Sequence, residues 1–227
     1  MTSAAGASSA PARTALANTK ENYHVTLWLV GSHSLTVVDD ERIYKMKDVM
    51  VDLETLGRRA GCSILSIGAV AFDAETGLMG PEFYMVVKMA SCEKHGLHTD
   101  PETVAWWEKQ NPEAQKVLKQ ARAARGNKDL PKALTEFNTY LAQFGPKAVR
   151  VWGNGSDFDN AILINCYAAA NLTAGWDFWN NRCYRTLKGL APSIKVQRGG
   201  VYHNALDDAK TQAAHALEVF KHLRGGK

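Results

Sequence analysis

The chain has 227 residues, 45% of them hydrophobic and 9% aromatic, enough apolar material for one sizeable core. Its 27 Lys and Arg against 23 Asp and Glu leave a net charge of +4, too mild to mark a nucleic-acid binder by bulk electrostatics. Cys62, Cys92, Cys166 and Cys183 form no Cys-x-x-Cys pair, which argues against a disulfide framework or a zinc ribbon and for a reducing, cytoplasmic setting.

Met1 to Thr19 are dominated by Ala, Ser, Thr and Gly with one charge, Arg13, and cannot bury enough surface to offset the entropy of ordering, so a flexible tail is expected. The tail lacks the basic start and continuous apolar stretch of a signal peptide. Runs over 24–30 and 34–38 flank Gly31-Ser-His33 and read as two short strands about a turn. Residues 1–45 are thus an N-terminal extension, partly disordered, before a domain over 46–227. Met46 offers an alternative start just ahead of the first strongly organised strand, and the sequence leaves both open.

In Asp48-Val-Met-Val-Asp-Leu-Glu54, Val49, Val51 and Leu53 share one face of a strand and Met50, Asp52 and Glu54 the other. Strands over Cys62–Phe72 and Glu82–Lys88, turned at Thr76-Gly77, complete an antiparallel meander. The mostly apolar stretch 64–72 is broken by Ser66 and Gly68 and is far shorter than the ~20 residues that cross a bilayer, so no membrane is expected as partner. Three helices follow: Asp100-Pro101 and Asn111-Pro112 are start signals, and Leu134, Phe137, Leu141 and Phe144 recur at helical spacing before Gly145. A strand over 149–152, a helix over 158–170, a short strand over 183–187 and a last helix over 205–223 then predict an α/β layered fold with a mixed sheet.

Asp52 and Glu54 project from one face of an apolar strand where water is scarce. Two unpaired buried carboxylates cost several kcal/mol, so they must take up protons or meet cations, and a divalent metal with oxygen ligands answers both charges. A solvated edge strand is the competing reading. Two distant segments favour the metal. Trp152-Gly-Asn-Gly-Ser-Asp-Phe-Asp159 runs from strand through a Gly-rich turn into a helix and presents Asp159 at the helix start. In Val201-Tyr-His-Asn-Ala-Leu-Asp-Asp208, Asn204 caps the last helix, Asp208 lies in its first turns and His203 stays on the loop. A fixed carboxylate beside a movable imidazole suits a metal ligand beside a general base.

Asp52-x-Glu54, Asn154-x-x-x-Phe158-Asp159 and His203-x-Ala205-x-x-Asp208 together resemble the DEDDh 3′-to-5′ exonucleases of the ribonuclease H-like superfamily. Val51-Asp-Leu-Glu-Thr-Leu-Gly57, Ile64-Leu-Ser-Ile-Gly-Ala-Val70, Thr103-Val-Ala-Trp-Trp107 and Arg182-x-x-Arg185-Thr186 resemble a narrower bacterial and phage exoribonuclease branch, and the likeness runs from Lys47 to Leu223. The second motif is one residue longer than Asn-x-x-Phe-Asp, which sets Asp157 against Asp159; the Phe158-Asp159 pairing favours Asp159. The resemblance implies a ribonuclease H-like mixed five-stranded sheet flanked by helices. It also implies two-metal hydrolysis, with Mg2+ or Mn2+, of single-stranded RNA or DNA carrying a free 3′ end, RNA by the nearer branch, to give nucleoside 5′-monophosphates. Asp52 would bridge both ions, Glu54 and Asp208 would hold the water-activating ion, Asp159 would support the second, and His203 would take the proton. The branch is associated with homodimers, so one is expected.

By the same resemblance, Thr55 and Leu56 would meet the terminal nucleotide, with Asn154 and Phe158 also at the substrate; core packing is the alternative for Leu56. Trp106 and Trp107 cannot share one helix face, which puts one in the core and one in the cleft as a stacking platform. Arg182, Arg185, Lys188, Lys195 and Arg198, in an acid-free stretch between Asp177 and Asp207, form a basic strip for phosphates or a solvated surface. Cys92-x-x-His95-x-x-His98, on an expected loop, offers three zinc-type ligands without a fourth. No phosphate-binding Gly-rich fingerprint occurs, which argues against an NTPase or dinucleotide enzyme. A catalytically silent nucleic-acid-binding module is the reading of a different class, but it normally entails loss of a ligand, and all five positions are filled.

Overall fold

The computed structural model describes residues 46–123 and 126–225. The tail and the strand pair expected over 24–38 lie outside them. Strands β1 (Asp48–Thr55), β2 (Ile64–Asp73) and β3 (Leu78–Val86) form the antiparallel meander that alternation predicts. The β2–β3 turn is held by the Asp73 carboxylate, which accepts from Glu75 N–H at 2.9 Å and Thr76 Oγ1 at 2.7 Å, before Gly77 at φ +76°.

Strands β4 (Arg150–Gly153) and β5 (Asn181–Cys183) add in parallel, giving one mixed sheet in the order β3-β2-β1-β4-β5. Asp48 anchors the start of the β1–β4 pair: it accepts from Arg150 Nε at 2.6 Å and Trp152 Nε1 at 2.7 Å. Pairing between β1 and β4 ends at Met50 and Trp152. Beyond that point β4 leaves β1, so Asp52 and Glu54 stand where the parallel strands diverge, the place where α/β sheets take ligands.

Helices α1 (Met89–Lys94), α2 (Pro101–Trp107), α3 (Pro112–Arg122) and α4 (Leu130–Ala142) follow the meander. The start signals act as read: Asp100 Oδ1 accepts from Glu102 N–H and Asn111 Oδ1 from Ala114 N–H, each at 2.9 Å and each ahead of a proline. Helix α1 is a correction to the expected loop. It buries Cys92, whose Sγ faces the Ile64 carbonyl at 3.6 Å, and His95 Nδ1 is engaged at 2.7 Å by the Ser91 carbonyl, so this spacing is absorbed by packing.

After β4 comes a π-helical turn, Ser156–Asn160, then α5 (Ala161–Ala169); the extra residue of the Asn154–Asp159 motif falls in that turn. The strand expected over 183–187 is also corrected: β5 stops at Cys183 and α6 (Tyr184–Gly189) begins, burying Tyr184 and Leu187 at i, i+3. Helix α7 (Ala205–Gly225) closes the fold and packs across β1 and β2. Its Ala209, Ala213 and Ala216 meet Met50, Val70, Phe72 and Trp152, small residues letting the helix lie close to the sheet. Closest approach is at Gly68, ladder partner of Asp52, where a Cβ would stand 2.1 Å from the Ala205 carbonyl carbon. A second cluster gathers Leu56, Leu65 and Trp107 with the α3 residues Ala114, Val117, Leu118 and Ala121. No helix among the described residues is long and apolar enough to cross a membrane.

Candidate active site

Pleating puts Asp52 and Glu54 on the β1 face that α7 covers, and a bulge follows Glu54. Gln212, one turn beyond Asp208 on α7, donates from Nε2 to Asp52 Oδ1 at 2.7 Å. Glu54 is buried, and its Oε1 has no hydrogen-bond partner. Asp159 is buried with both oxygens bonded: Oδ1 accepts from Leu53 N–H at 3.3 Å and Oδ2 from Asn154 N–H at 2.8 Å. Gly153 makes room for it, since a Cβ there would lie 2.5 Å from Asn160 Oδ1 and 2.9 Å from Asp159 Cβ. Asp157, the rival position, is exposed.

Asn204 caps α7, its Oδ1 accepting from Leu206 N–H at 3.1 Å and Asp207 N–H at 3.2 Å. That cap fixes Asp208 in the first turns and leaves His203 in the left-handed region at φ +60°, a conformation uncommon outside glycine and frequent at functional sites. The imidazole is held by aromatic edges, 5.0 Å from the Trp106 ring and 5.9 Å from Trp107. One ligand atom each from Glu54, His203 and Asp208 lie within 4.8 Å of one another.

Burial, then repulsion from Asp159, Glu54 and Asp208, drives the Asp52 carboxyl well above the usual range despite the Gln212 bond. Burial and the charges of Asp208 and Asp159 push Glu54 up to about 8. Burial lifts Asp159 to about 7 against the pull of its two backbone donors, and burial also raises Asp208 while Arg198 opposes it. Four carboxyls resisting ionisation together, one with an unpaired buried oxygen, form an all-oxygen donor set, with the His203 imidazole beside Glu54 and Asp208. Those donors fit hard divalent cations such as Mg2+ or Mn2+.

The cleft over these groups has a volume of about 600 Å³. Asn154 and Phe158 line one wall, and the other is formed by Thr55 and α2 with Glu102, Thr103, Trp106 and Trp107. Trp107 is buried and donates from Nε1 to the Thr55 carbonyl at 2.9 Å, whereas Trp106 is exposed. Leu56 is fully buried beyond the bulge and does not line the cleft. Arg185 donates to the Asn154 carbonyl at 2.7 Å, while Arg182 is engaged by the carbonyls of Trp179 and Asn181. Of the basic strip, Arg198 alone lines the cleft. Sequence reasoning missed Gln212, although its i+4 spacing from Asp208 put it on the same helix face.

Trp106→Ala is expected to weaken binding of single-stranded ends by about 1–3 kcal/mol with little change in melting temperature, as loss of one stacked base does. Trp107→Ala should instead cost about 3–5 kcal/mol of stability. Thermal melts and KM of the two variants check the pair.

The family model described as the 3'-5' exoribonuclease Rv2179c-like domain matches residues 47–220. An exodeoxyribonuclease of Enterobacteria phage T4 is 25% identical over 165 residues, 62% of this chain and 70% of that protein. Among solved structures, the nuclease domain of 3'hExo, a DEDDh family member bound to rAMP, is similar with TM-score 0.53 and 15% identity over 80% of this chain and 94% of its own. E. coli Exonuclease I in complex with a dT13 oligonucleotide gives TM-score 0.55 and 16% identity over 78% of this chain, which spans 42% of that protein. At such identities the solved structures speak for the fold, the ribonuclease H-like sheet and its flanking helices. The family match runs from the strand of Asp52 and Glu54 to the helix of Asp208, so the chain belongs to the Rv2179c-like 3'-5' exoribonuclease family and is a 3′–5′ exonuclease of the DEDDh type acting on nucleic acid.

Proposed function

We propose that the chain hydrolyses single-stranded RNA from a free 3′ end and releases nucleoside 5′-monophosphates, using two Mg2+ or Mn2+ ions held by Asp52, Glu54, Asp159 and Asp208. The observation that carries this reading is the meeting of Asp52, Glu54, Asp208 and His203 on one cleft, with the buried Asp159 near enough to repel Asp52 and Glu54. Divalent ions there supply the positive charge that stabilises the attacking and departing oxygens of an in-line displacement. His203 stands on the cleft side of Asp208, free of the helix, and takes the proton of the attacking water. Asn154 and Phe158 orient the terminal nucleotide from one wall, and Trp106 offers a base a stacking surface on the other. Thr55 lines the cleft beside Glu54, with Oγ1 donating to the Gly57 carbonyl at 2.7 Å. RNA is favoured by the description of the family. DNA is the second reading, favoured by the likeness to the phage exodeoxyribonuclease.

The test uses 5′-labelled single-stranded RNA and DNA of one sequence with Mg2+, Mn2+ or a chelator. Metal-dependent shortening from the 3′ end, faster on RNA, is expected. Faster shortening of DNA would exchange the substrate, and no shortening of either with metal present would overturn the reading of the site. The homodimer implied by the branch resemblance is checked by light scattering, where the mass of one chain refutes it.

A further inference from the structure

Among the described residues, one cationic side chain forms an ion pair with the four clustered carboxylates: Arg198, whose Nη1 donates to Asp208 Oδ1 at 2.8 Å. Its loop is shaped for this contact. Gly200 has φ +74°, and a Cβ there would lie 2.4 Å from the Asp207 carboxyl carbon, so a bare backbone is what lets the loop fold against α7. Val201 N–H donates to Asp207 Oδ2 at 2.8 Å, and Thr211 Oγ1 donates to the Gly199 carbonyl at 3.3 Å. Asp207 and Thr211 lie on either side of Asp208 in sequence, so the loop straddles that carboxylate. The guanidinium rests over the Tyr202 ring, Cζ 4.2 Å from its centroid. Its side chain is 38% exposed against 10% for Asp208, so the cation can depart while the carboxylate stays.

A divalent cation shared by Glu54 and Asp208 and the Arg198 guanidinium would compete for one carboxylate, since two cations there repel. The guanidinium lines the cleft, and its planar donors match a pair of phosphate oxygens. Resting on the metal-site reading above, we propose that Arg198 is a positioning residue: it holds Asp208 in the metal-free protein and passes to a phosphate oxygen of the bound strand end when the carboxylate is given over to a divalent cation.

The test titrates chelator-stripped full-length protein with Mn2+, free Mn2+ being followed by electron paramagnetic resonance. Arg198→Gln is expected to bind Mn2+ roughly twofold to fivefold more tightly than the parent, the range of a partly exposed ion pair. With Ca2+ bound, AMP, an example of the proposed product, should bind Arg198→Gln roughly tenfold more weakly by calorimetry, the loss of one charge-assisted bond. Arg198→Lys keeps the charge without the fork, so its Mn2+ affinity stays at the parent's while its AMP affinity falls. A merely structural role moves Mn2+ binding the other way, because Asp208 loses its orienting partner. Unchanged or weaker Mn2+ binding in Arg198→Gln, or unchanged AMP binding, overturns the proposal. Glu54→Gln separates the two levels: parental Mn2+ binding that survives it overturns the metal-site reading and the proposal together. Glu54-dependent binding that Arg198→Gln leaves unaltered overturns the role of Arg198 alone.

Discussion

Asp52→Asn is expected to lower the rate of 3′-end hydrolysis by at least about a thousandfold, the equivalent of ~4 kcal/mol of transition-state stabilisation. The same substitution should raise the melting temperature of the metal-free protein at pH 8 by about 2–4 °C, the shift that ~1 kcal/mol produces in a domain of this size. Both effects have one origin. In the folded chain Asp52, Glu54 and Asp159 hold their protons to higher pH than in the unfolded chain, because burial and mutual repulsion penalise the charged forms. Below about pH 4 both states are protonated and no penalty exists. As pH rises the unfolded chain releases its protons first, so stability falls, and the fall continues until the folded site ionises at about 7 for Asp159 and about 8 for Glu54. Asparagine removes one charge, is nearly isosteric, and can still accept from Gln212. Divalent metal reverses the sign by giving the ionised carboxylates a partner, so its stabilising effect on the parent is larger at pH 8 than at pH 5. Melting curves in chelator and in Mg2+ at the two pH values, with a 3′-end assay, check this. A metal-free parent as stable at pH 8 as at pH 5 would falsify the argument.

Gly68→Ala should cost at least about 3 kcal/mol, hence roughly 6–12 °C in melting temperature, and take the nuclease activity with it. The added Cβ would meet backbone, not the flexible end of a side chain: it would lie 2.1 Å from the Ala205 carbonyl carbon and 2.2 Å from Leu206 N. Neither the central sheet nor a capped helix start yields cheaply, so α7 must lift. Asp208 and Gln212 ride on that helix, and Asp52 is Gly68's ladder partner. Strand and helix would part at the site, and metal would not restore the variant. Gly189→Ala, with no atom within 4 Å of its new Cβ, is the control that leaves both readouts unchanged. A Gly68→Ala protein with parental melting behaviour would show that α7 slides at no cost.

What the sequence disclosed was local in origin. Alternation over Asp48–Glu54 set the carboxylate face, and the Asp100-Pro101 and Asn111-Pro112 pairs set two helix starts, because neighbouring residues decide those features. Asp52, Glu54, Asp159, His203 and Asp208 were legible as a group through motif spacing; Asp52, Glu54, His203 and Asp208 line one cleft, and Asp159 is buried near Asp52. The six-residue α1 was too short to show a period, and the β5–α6 boundary at Cys183 depends on Tyr184 and Leu187 finding buried positions that no local signal announces. Leu56 shows where alternation stops being a guide: the bulge after Glu54 shifts the register, so the side chain enters the α3 cluster and not the cleft. Arg198 reaches Asp208 through the backbone path of a Gly-Gly loop, which composition does not encode.

The bond from the Trp107 indole to the Thr55 carbonyl makes the α2 wall and the carboxylate strand one mechanical body. A substitution at position 107 that moves the wall therefore also moves the strand that carries Asp52 and Glu54. Position 106 hangs beside it with 44% of its surface exposed, bonded to the floor by nothing. Its ring edge borders the His203 imidazole at 5.0 Å, so change there reaches the imidazole while the carboxylate strand keeps its place.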